Sequence, residues 1–466
     1  MPSPLSSWNT VPSASHRFPR QRFALGIVLA CTLCLLGIPG TAVAEQRMTD
    51  TVLGKTAQAW GIASTELPDI GAPRAIVMGS DGTVYFERDA DTPVKIASIT
   101  KVMTAIVALE HAQLTDTVTV DHTAATVGQS SAGLKEGDTL TMEAALRGLL
   151  IPSGNDAALA IATTVGRALN PEADDPVTTF VNAINAKARE LGCKDTLFEN
   201  PHGLDFDAWA GDMHSTARDV ALMYAHAMKN DTFRAIVNSP ATALTVTGAD
   251  GTQRQVDQDM HNELLGQEGN IGGKTGTTDD AGYCFVGGYS QDKGGEVYTV
   301  VLGADSNEQR FADTAALGSW YYAHVADVPI ANTVASQGGK PVIGQAVMTD
   351  WTDRTVAATL QDPAQTAQVF SLAGPLEQTV ALDEITGDVQ VGQKIGELSY
   401  AQDGKKVVSA ELVAAQNGKA PNPLEWVLVH FDRLIRFFEG RPGTAEEQVV
   451  NTPPDPLAYD AFGAAA

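Results

Sequence analysis

The sequence predicts an α+β protein built from two domains, because the pattern of apolar residues changes along the chain. From about residue 45 to 326, helical and strand patterns alternate, whereas residues 335 to 418 show short apolar alternations separated by turn residues. Apolar side chains then recur at helical spacing. We therefore predict a mixed domain over 45–326, a small antiparallel β-rich domain over 335–418, an amphipathic helix over 422–440 and a disordered tail over 441–466.

The composition limits the classes of partner. The chain has 466 residues, with 31 Lys and Arg against 56 Asp and Glu, and a formal net charge of -25. Nucleic-acid binding needs clustered basic side chains for phosphate contacts, and the sequence contains no such cluster. We predict no nucleic-acid partner.

The first 44 residues have the organisation of an export signal. Three arginines precede an apolar run from Phe23 to Gly40, and the small residues Thr41 to Ala44 follow. This order predicts a signal peptide, residues 1–44, that is cleaved after Ala44. An uncleaved N-terminal membrane anchor is the alternative. Both interpretations predict an exported protein.

Two cysteines, Cys193 and Cys284, lie beyond the predicted signal. A disulfide between them is chemically permitted outside the cytoplasm. Two small buried thiols are equally consistent with the sequence. The sequence leaves both alternatives open.

The predicted helix over 422–440 also has two interpretations. Its apolar face, from Leu424 to Phe438, would be buried if the helix packs on its own domain. The same face could lie in a membrane interface, with Trp426, Phe437 and Phe438 as anchors. We therefore expect possible peripheral membrane contact, but the sequence does not distinguish it from packing of the helix on its own domain.

The first motif with chemical content is Ser98-Ile99-Thr100-Lys101. The following residues, Val102 to Leu109, are apolar almost all round, which predicts a buried helix beginning at the motif. Ser98 and Lys101 would share one helix face, and burial would lower the pKa of the lysine so that a neutral amine can act as base toward the serine. Ser98 could instead be a simple N-cap. A lysine so close to an apolar helix argues for the chemical role.

Two further motifs follow. Ser153-Gly154-Asn155 lies between two apolar helical patterns and predicts a tight turn that projects a hydroxyl and an amide into a cleft, or a cap for the second helix. Lys274-Thr275-Gly276 precedes two strong strand patterns and predicts an edge strand. Gly276 would let a substrate backbone approach, while Lys274 and Thr275 would bind a carboxylate. An exposed strand end with a solvated lysine is the alternative.

In this order, Ser-x-x-Lys, a Ser-x-Asn variant and Lys-Thr-Gly are typical of β-lactamases and penicillin-binding proteins. With the residues around the motifs, the chain resembles the D-alanyl-D-alanine carboxypeptidase family of low-molecular-mass penicillin-binding proteins, from roughly Ala63 to Trp320. Other segments that carry the resemblance are Asn200-Pro201-His202-Gly203-Leu204, Ser215-Thr216-Ala217-Arg218-Asp219, Ala281-Gly282-Tyr283-Cys284 and Gln309-Arg310-Phe311-Ala312-Asp313.

The resemblance implies a fold and an activity. The fold is that of penicillin-recognising serine transferases: a five-stranded antiparallel sheet flanked by helices, and a helical lobe, with the cleft between them. The activity is serine-type removal of the terminal D-Ala from peptidoglycan stem peptides that end in D-Ala-D-Ala. It also implies that β-lactam antibiotics bind, and that the protein works at the outer face of a bacterial membrane or in the cell wall.

The resemblance also implies residue roles. Ser98 would be the nucleophile, Lys101 its base, Ser153 a proton relay and Asn155 a ligand for the peptide amide. Backbone N–H groups of Ser98 and Thr277 would form the oxyanion hole. The terminal carboxylate would be held by Lys274, Thr275 and Arg310.

Other interpretations remain open. An endopeptidase that cuts D-Ala cross-links would use the same residues. A class A β-lactamase is disfavoured because Gly154 replaces the usual aspartate, and a binding protein without turnover is disfavoured by the intact motifs. His202 is not needed as a base, since Lys101 fills that role. We predict no cofactor and no metal, because no His or Cys cluster has metal-ligand spacing.

Overall fold

A computed structural model describes residues 47–240 and 242–462. The predicted signal peptide, residues 1–44, lies outside the described residues. The α-helices are α1 (Ala57–Trp60), α2 (Lys101–His111), α3 (His122–Thr126), α4 (Met142–Leu150), α5 (Asn155–Leu169), α6 (Pro176–Glu190), α7 (Ala217–Ala227), α8 (Asp231–Val237), α9 (Asn307–Ala323) and α10 (Pro423–Glu439).

The strands of the first part of the chain are β1 (Thr51–Val52), β2 (Lys55–Thr56), β3 (Arg74–Gly79), β4 (Val84–Arg88), β5 (Thr117–Thr119), β6 (Thr139–Thr141), β7 (Ala243–Thr247), β8 (Gln253–Asp257), β9 (Asn270–Thr278), β10 (Gly282–Gln291) and β11 (Gly295–Ala304). Those that follow are β12 (Val325–Pro329), β13 (Ser336–Gln337), β14 (Lys340–Pro341), β15 (Gly344–Val347), β16 (Thr355–Leu360), β17 (Thr366–Phe370), β18 (Leu376–Leu382), β19 (Lys394–Gln402), β20 (Lys405–Ala414) and β21 (Gln448–Val449).

A central antiparallel sheet organises the first part of the chain, in the strand order β2-β1-β4-β3-β11-β10-β9. Five long strands form the predicted sheet, and the two-residue strands β1 and β2 extend it. Alternate residues of β3 enter different cores: Ile76 and Met78 face the helical lobe, whereas Ala75 and Val77 pack with α9 residues. Because both faces are covered at this position, β3 is almost continuously apolar from Ala75 to Met78.

The helical lobe is built around α2. Its residues from Lys101 to Ala108 are buried, as expected for an apolar helix, and α4, α5, α6 and α7 surround it. The helix begins later than the sequence predicts. Ser98 lies in a 3₁₀ turn, Ala97–Thr100, and the α-helix starts at Lys101. This turn holds Ser98 where the lobe meets β9, at the edge of the central sheet.

A β-rich part follows α9. Its main sheet is antiparallel, with the order β18-β19-β20-β16-β15-β21, and β12 pairs with β17 beside it. Buried residues such as Leu360, Leu398 and Leu412 form a separate core. Phe370 and Leu372 join the cluster of Trp320 instead, so the β-rich part packs directly on the end of α9.

Helix α10 begins with a capping box formed by Asn422 and Glu425 and ends at Gly440 in the left-handed region. Val429 is its buried residue. The other apolar side chains, Leu424, Trp426, Val427, Leu428, Phe431, Leu434, Ile435, Phe437 and Phe438, are exposed by 41% to 78%. Within the described residues, no helix has the length and apolarity needed to cross a bilayer.

The structure corrects the prediction of a disordered tail over 441–466 for the described residues, 441–462. Strand β21 pairs with β15, and Asp460 is buried and accepts a hydrogen bond from Ser371 Oγ at 2.7 Å. The tail composition gives little apolar burial, but buried hydrogen bonds fix this segment as far as the described residues extend.

Cys193 and Cys284 are both buried and free, so the structure favours two thiols over a disulfide.

Asn451 tests whether the tail contributes to folding. Its Nδ2 donates to Gln378 Oε1 at 2.7 Å and to Tyr400 Oη at 2.8 Å, and its Oδ1 accepts from Asn332 N at 2.7 Å. Asn451→Ala should lower the free energy of unfolding by about 1–3 kcal/mol, because buried partners lose their hydrogen bonds. Denaturant unfolding measures this, with exposed Gln448→Ala as the control. Equal stability of the two variants would contradict an ordered tail.

Candidate active site

The nucleophile candidate, Ser98, lies half-buried at the floor of a cleft between the helical lobe and β9. Its neighbours Ile96, Ala97, Ile99 and Thr100 are buried, and Ala97 has a positive φ of 48°. Such strained residues persist where the surroundings hold them in place. The side chain of Ser98 caps no helix, which removes the simple N-cap interpretation.

Lys101 is the most deeply buried charged candidate. Its Nζ lies 2.7 Å from Ser98 Oγ, 2.7 Å from Asn155 Oδ1 and 2.8 Å from the carbonyl oxygen of His202. Burial lowers the pKa of Lys101 well below its usual value; Lys274 lowers it further, and Asp156 opposes the shift. The site therefore favours a neutral amine.

Ser153 lies in the turn between α4 and α5, and Asn155 is the first residue of α5. Ser153 has a φ of 63°, in the left-handed region. Asn155 is buried, and besides facing Lys101 it donates from Nδ2 to Gly128 O at 3.0 Å and from its main-chain N to Ser130 O at 2.8 Å. Asn155 thus links the lysine to the loop that forms one wall of the cleft.

Asp156, which the sequence suggested only as a possible helix cap, holds the same loop. Its carboxylate accepts hydrogen bonds from Ser131 Oγ at 2.5 Å, Ala132 N at 2.8 Å and Leu134 N at 3.1 Å. The sequence signal for this role was the position of Asp156, an acidic residue directly after the Ser153-Gly154-Asn155 motif.

Lys274 approaches from β9, on the opposite side of the cleft. Its Nζ donates to Ser153 Oγ at 2.8 Å and to Thr275 O at 2.7 Å. Burial first, and the Arg310 guanidinium second, lower the pKa of Lys274 to about 7. This lysine is buried, which rules out the alternative of a solvated strand end.

Gly276 brings β9 against the serine turn. A Cβ at this position would lie 2.5 Å from Ile96 O and 3.2 Å from Ser98 N, closer than side-chain atoms normally approach. Only glycine therefore fits this contact. The close approach brings the strand carrying Thr277 next to the backbone of Ser98.

Arg310 supports the same strand from α9. It is buried, and its Nη1 donates to Gly276 O at 3.2 Å and to Thr277 Oγ1 at 2.8 Å. Among the ion pairs of the described residues, none includes Lys101, Lys274 or Arg310. Because the site favours neutral Lys101, the positive potential of this cleft comes from Lys274 and Arg310, and it suits an anion.

The loop with His202 contributes through its main chain. Asn200 Oδ1 accepts from the N–H groups of His202 and Gly203, and this turn presents the His202 carbonyl to Lys101. At Gly203 a Cβ would lie 2.0 Å from Ala97 O, so the turn packs against the serine backbone.

The imidazole of His202 is not placed as a base for Ser98. Its Nδ1 accepts from Leu204 N at 3.2 Å, and its ring meets Trp209 edge to face. Burial, and Lys101 next, lower the pKa of His202 well below its usual value.

The cleft joins these elements in a volume of about 310 Å³. It is lined by Ser98, Ser130, Ser153, Met260, His261, Glu263, Thr275, Gly276, Thr277, Asn307 and Arg310. The structure thus brings every predicted site residue to one cleft or its wall. Sequence reasoning did not find the Met260 to Glu263 segment, which has no motif of its own.

Comparison with known proteins identifies relatives of this chain. The family model described as D-alanyl-D-alanine carboxypeptidase matches residues 62–306, more than half of the chain. The D-alanyl-D-alanine carboxypeptidase DacC of Escherichia coli is 29% identical over 373 residues, covering 76% of this chain and 86% of that protein. A Streptomyces protein with the name D-alanyl-D-alanine carboxypeptidase is 34% identical over 268 residues, covering 55% of this chain and 89% of its own length.

Solved structures show the same fold. The crystal structure of a Streptomyces DD-transpeptidase matches with a TM-score of 0.51 and 31% identity, covering 54% of this chain and 97% of that one. The carboxypeptidase DacD of Francisella tularensis, at 22% identity and a TM-score of 0.52, covers 76% of this chain and 95% of its own. This second likeness extends the shared fold into the β-rich part. With a family model matching over half of its length, this chain belongs to the D-alanyl-D-alanine carboxypeptidase family of peptidases.

Proposed function

We propose that this chain is a serine-type D-Ala-D-Ala carboxypeptidase that removes the terminal D-Ala from peptidoglycan stem peptides through an acyl-enzyme. The observation that carries the proposal is the surroundings of Lys101 Nζ. A neutral amine has two N–H donors and one lone pair. Two of its neighbours, Asn155 Oδ1 and His202 O, can only accept, so they take both N–H groups. The lone pair is then left for the hydroxyl of Ser98.

Acylation follows from that arrangement. Ser98 Oγ attacks the carbonyl carbon of the penultimate D-Ala while its proton passes to Lys101 Nζ. Backbone N–H groups of Ser98 and Thr277 stabilise the oxyanion. As the C–N bond breaks, the proton on Lys101 passes through the hydroxyl of Ser153 to the leaving amine of D-Ala. Lys101 thereby returns to its neutral form.

Deacylation reverses these roles. Water attacks the ester carbonyl and loses its proton to Lys101, and the oxygen of Ser98 regains a proton as the ester breaks. The terminal carboxylate of the substrate binds among Lys274, Thr275 and Arg310, while Asn155 receives the peptide amide. The positive potential of the cleft supports an anionic ligand.

Substitution of Lys101 tests its proposed role as the general base. Lys101→Met keeps most of the buried volume and removes the amine, so acylation should fall by about 10²–10⁴-fold while the fold is retained. A steady-state assay of D-Ala release, with circular dichroism for the fold, measures the effect. Lys293→Met is the matched control, because Ser290 to Lys293 has the same Ser-x-x-Lys spacing in a β-hairpin. Normal turnover by Lys101→Met would contradict the assigned role.

β-Lactam antibiotics provide a second test. Their strained amide and carboxylate would meet Ser98 and Lys274 as the peptide does, but the leaving amine stays tethered and obstructs water. Intact-mass spectrometry should therefore detect one long-lived adduct per chain, which peptide mapping assigns to Ser98. Ser98→Ala should prevent the adduct and Ser290→Ala should not. Fast penicillin turnover without an adduct would favour a β-lactamase instead.

We also propose that α10 contacts the membrane surface, with the enzyme acting outside the cytoplasm. The support is the exposure of its apolar face, including Leu428 at 61% and Phe431 at 63%. Its opposite side holds the β-rich part through Val429 and through Arg433, which donates to Thr349 O. The helix carries three acids and two arginines, so apolar burial, not attraction to anionic lipid, would drive binding.

A double substitution, Leu428→Glu with Phe431→Glu, tests the membrane contact. Burying two such side chains contributes about 3–6 kcal/mol, so partition into vesicles should weaken by at least about 100-fold. Co-sedimentation with neutral and with anionic vesicles measures partition, and D-Ala release by the soluble protein should be unchanged. Val391→Glu, at another exposed apolar position, is the control. If the double variant binds vesicles as well as the unmodified protein does, the proposed membrane contact is wrong.

A further inference from the structure

His261 is a titratable residue of the cleft that the mechanism above does not use. It lies in the loop between β8 and β9 and lines the cleft with Ser98, Thr275, Thr277 and Arg310. Its imidazole is partly buried. Within the described residues, its ring nitrogens make no hydrogen bond or ion pair. The ring therefore has free polar atoms beside the proposed carboxylate site.

The loop around His261 is fixed on both sides. Before it, Gln258 Nε2 donates to Ala132 O at 3.2 Å. After it, Asn262 Nδ2 donates to Asn270 Oδ1 at 3.1 Å, and Glu263 Oε1 accepts from Asn307 Nδ2 at 2.8 Å. These contacts hold the backbone, so His261 stays at the cleft wall while its own side chain is uncommitted.

The charges around His261 come mostly from other elements. Facing it are Lys101 on α2, Lys274 on β9, Arg310 on α9 and, on its own loop, Asp259 and Glu263. Burial is the largest effect on the imidazole, and the Lys274 and Arg310 charges follow; together they lower the pKa of His261 to about 4. In the free enzyme His261 is therefore neutral near pH 7.

We propose that His261 is a further substrate-binding residue, which takes up a proton from solvent and hydrogen-bonds the substrate carboxylate once that anion lies between Lys274 and Arg310. This inference rests on the proposed function. A bound anion offsets the repulsion from the two cations, so the protonated imidazole becomes favourable only in the complex. Substrate binding is then linked to proton uptake, and it strengthens as the pH falls toward the pKa of the free imidazole.

Binding measurements on the full chain separate this role from a structural one. The ligands are a diacetylated L-Lys-D-Ala-D-Ala peptide and the same peptide with a C-terminal amide, and Ser98→Ala in every protein prevents turnover. His261→Gln should weaken binding of the acid peptide by about tenfold at pH 5, because a pKa of the imidazole that rises by about two units in the complex, from about 4 in the free protein, gives a linkage of roughly that size. At pH 8 the loss should be less than about twofold. The amide peptide should show no such pH-dependent loss.

Two further measurements sharpen the result. His261→Arg supplies a permanent charge, so it should bind the acid peptide at pH 8 more tightly than the histidine protein does. Calorimetry at pH 5.5 in two buffers of different ionisation enthalpy should detect more proton uptake with His261 than with His261→Gln. Lys274 also titrates in the pH range of these measurements. Because all the variants contain Lys274, the differences in binding between them are due to residue 261. Exposed His122→Gln is the control.

The outcomes are distinct. An equal loss of binding at pH 5 and pH 8 in His261→Gln, or the same loss with the amide peptide, would overturn the inference. Either result would mean that His261 only shapes the cleft wall, a role that does not depend on protonation of its imidazole. If that happens while the unmodified chain still releases D-Ala, the proposed function stands. If no acid peptide binds and no D-Ala is released, the proposed function and the inference both fail.

Discussion

The proposed site depends on the burial of Lys101, which has no acidic partner in ion-pair contact among the described residues. Its helix is apolar, and within the described part of the chain the amine hydrogen-bonds only with the carbonyl oxygens of Asn155 and His202 and with the hydroxyl of Ser98. An acid in contact would stabilise the ammonium form and remove its ability to accept a proton. The apolar core of the helical lobe is therefore a condition of the chemistry as well as of stability.

The second constraint is that the same cleft holds Lys274 and Arg310. Like charges close together disfavour one another, and burial adds to the effect, so the cations depend on an incoming anion for stabilisation. The free cleft is thus electrostatically poised for a carboxylate, although the chain as a whole has a net charge of -25. At the proposed carboxylate site, this mutual repulsion would be relieved by an anionic ligand and would not be relieved by a neutral peptide.

Sequence reasoning predicted the site residues whose side-chain type and local spacing indicate a chemical role. Lys101 and Lys274 stand in short motifs beside apolar patterns. Apart from the N–H groups of Ser98 and Thr277, which the family resemblance implies, it could not find contributions made by main-chain atoms or by long-range position. The His202 carbonyl reaches Lys101 across 101 residues, and any residue type would supply that oxygen. His261 enters the cleft because its loop is fixed at distant residues, which no local pattern records.

The same distinction explains the C-terminal segment. Its sequence has few large apolar residues, but Asn451 hydrogen-bonds several polar groups of the β-rich part at once. A single polar side chain can fix a segment when its partners would otherwise be left without hydrogen bonds. Since β20 precedes α10 and β21 follows it in the same sheet, the helix is held at both ends. Its exposed face is therefore oriented by the sheet, so any surface that it binds would meet the β-rich part in a defined orientation.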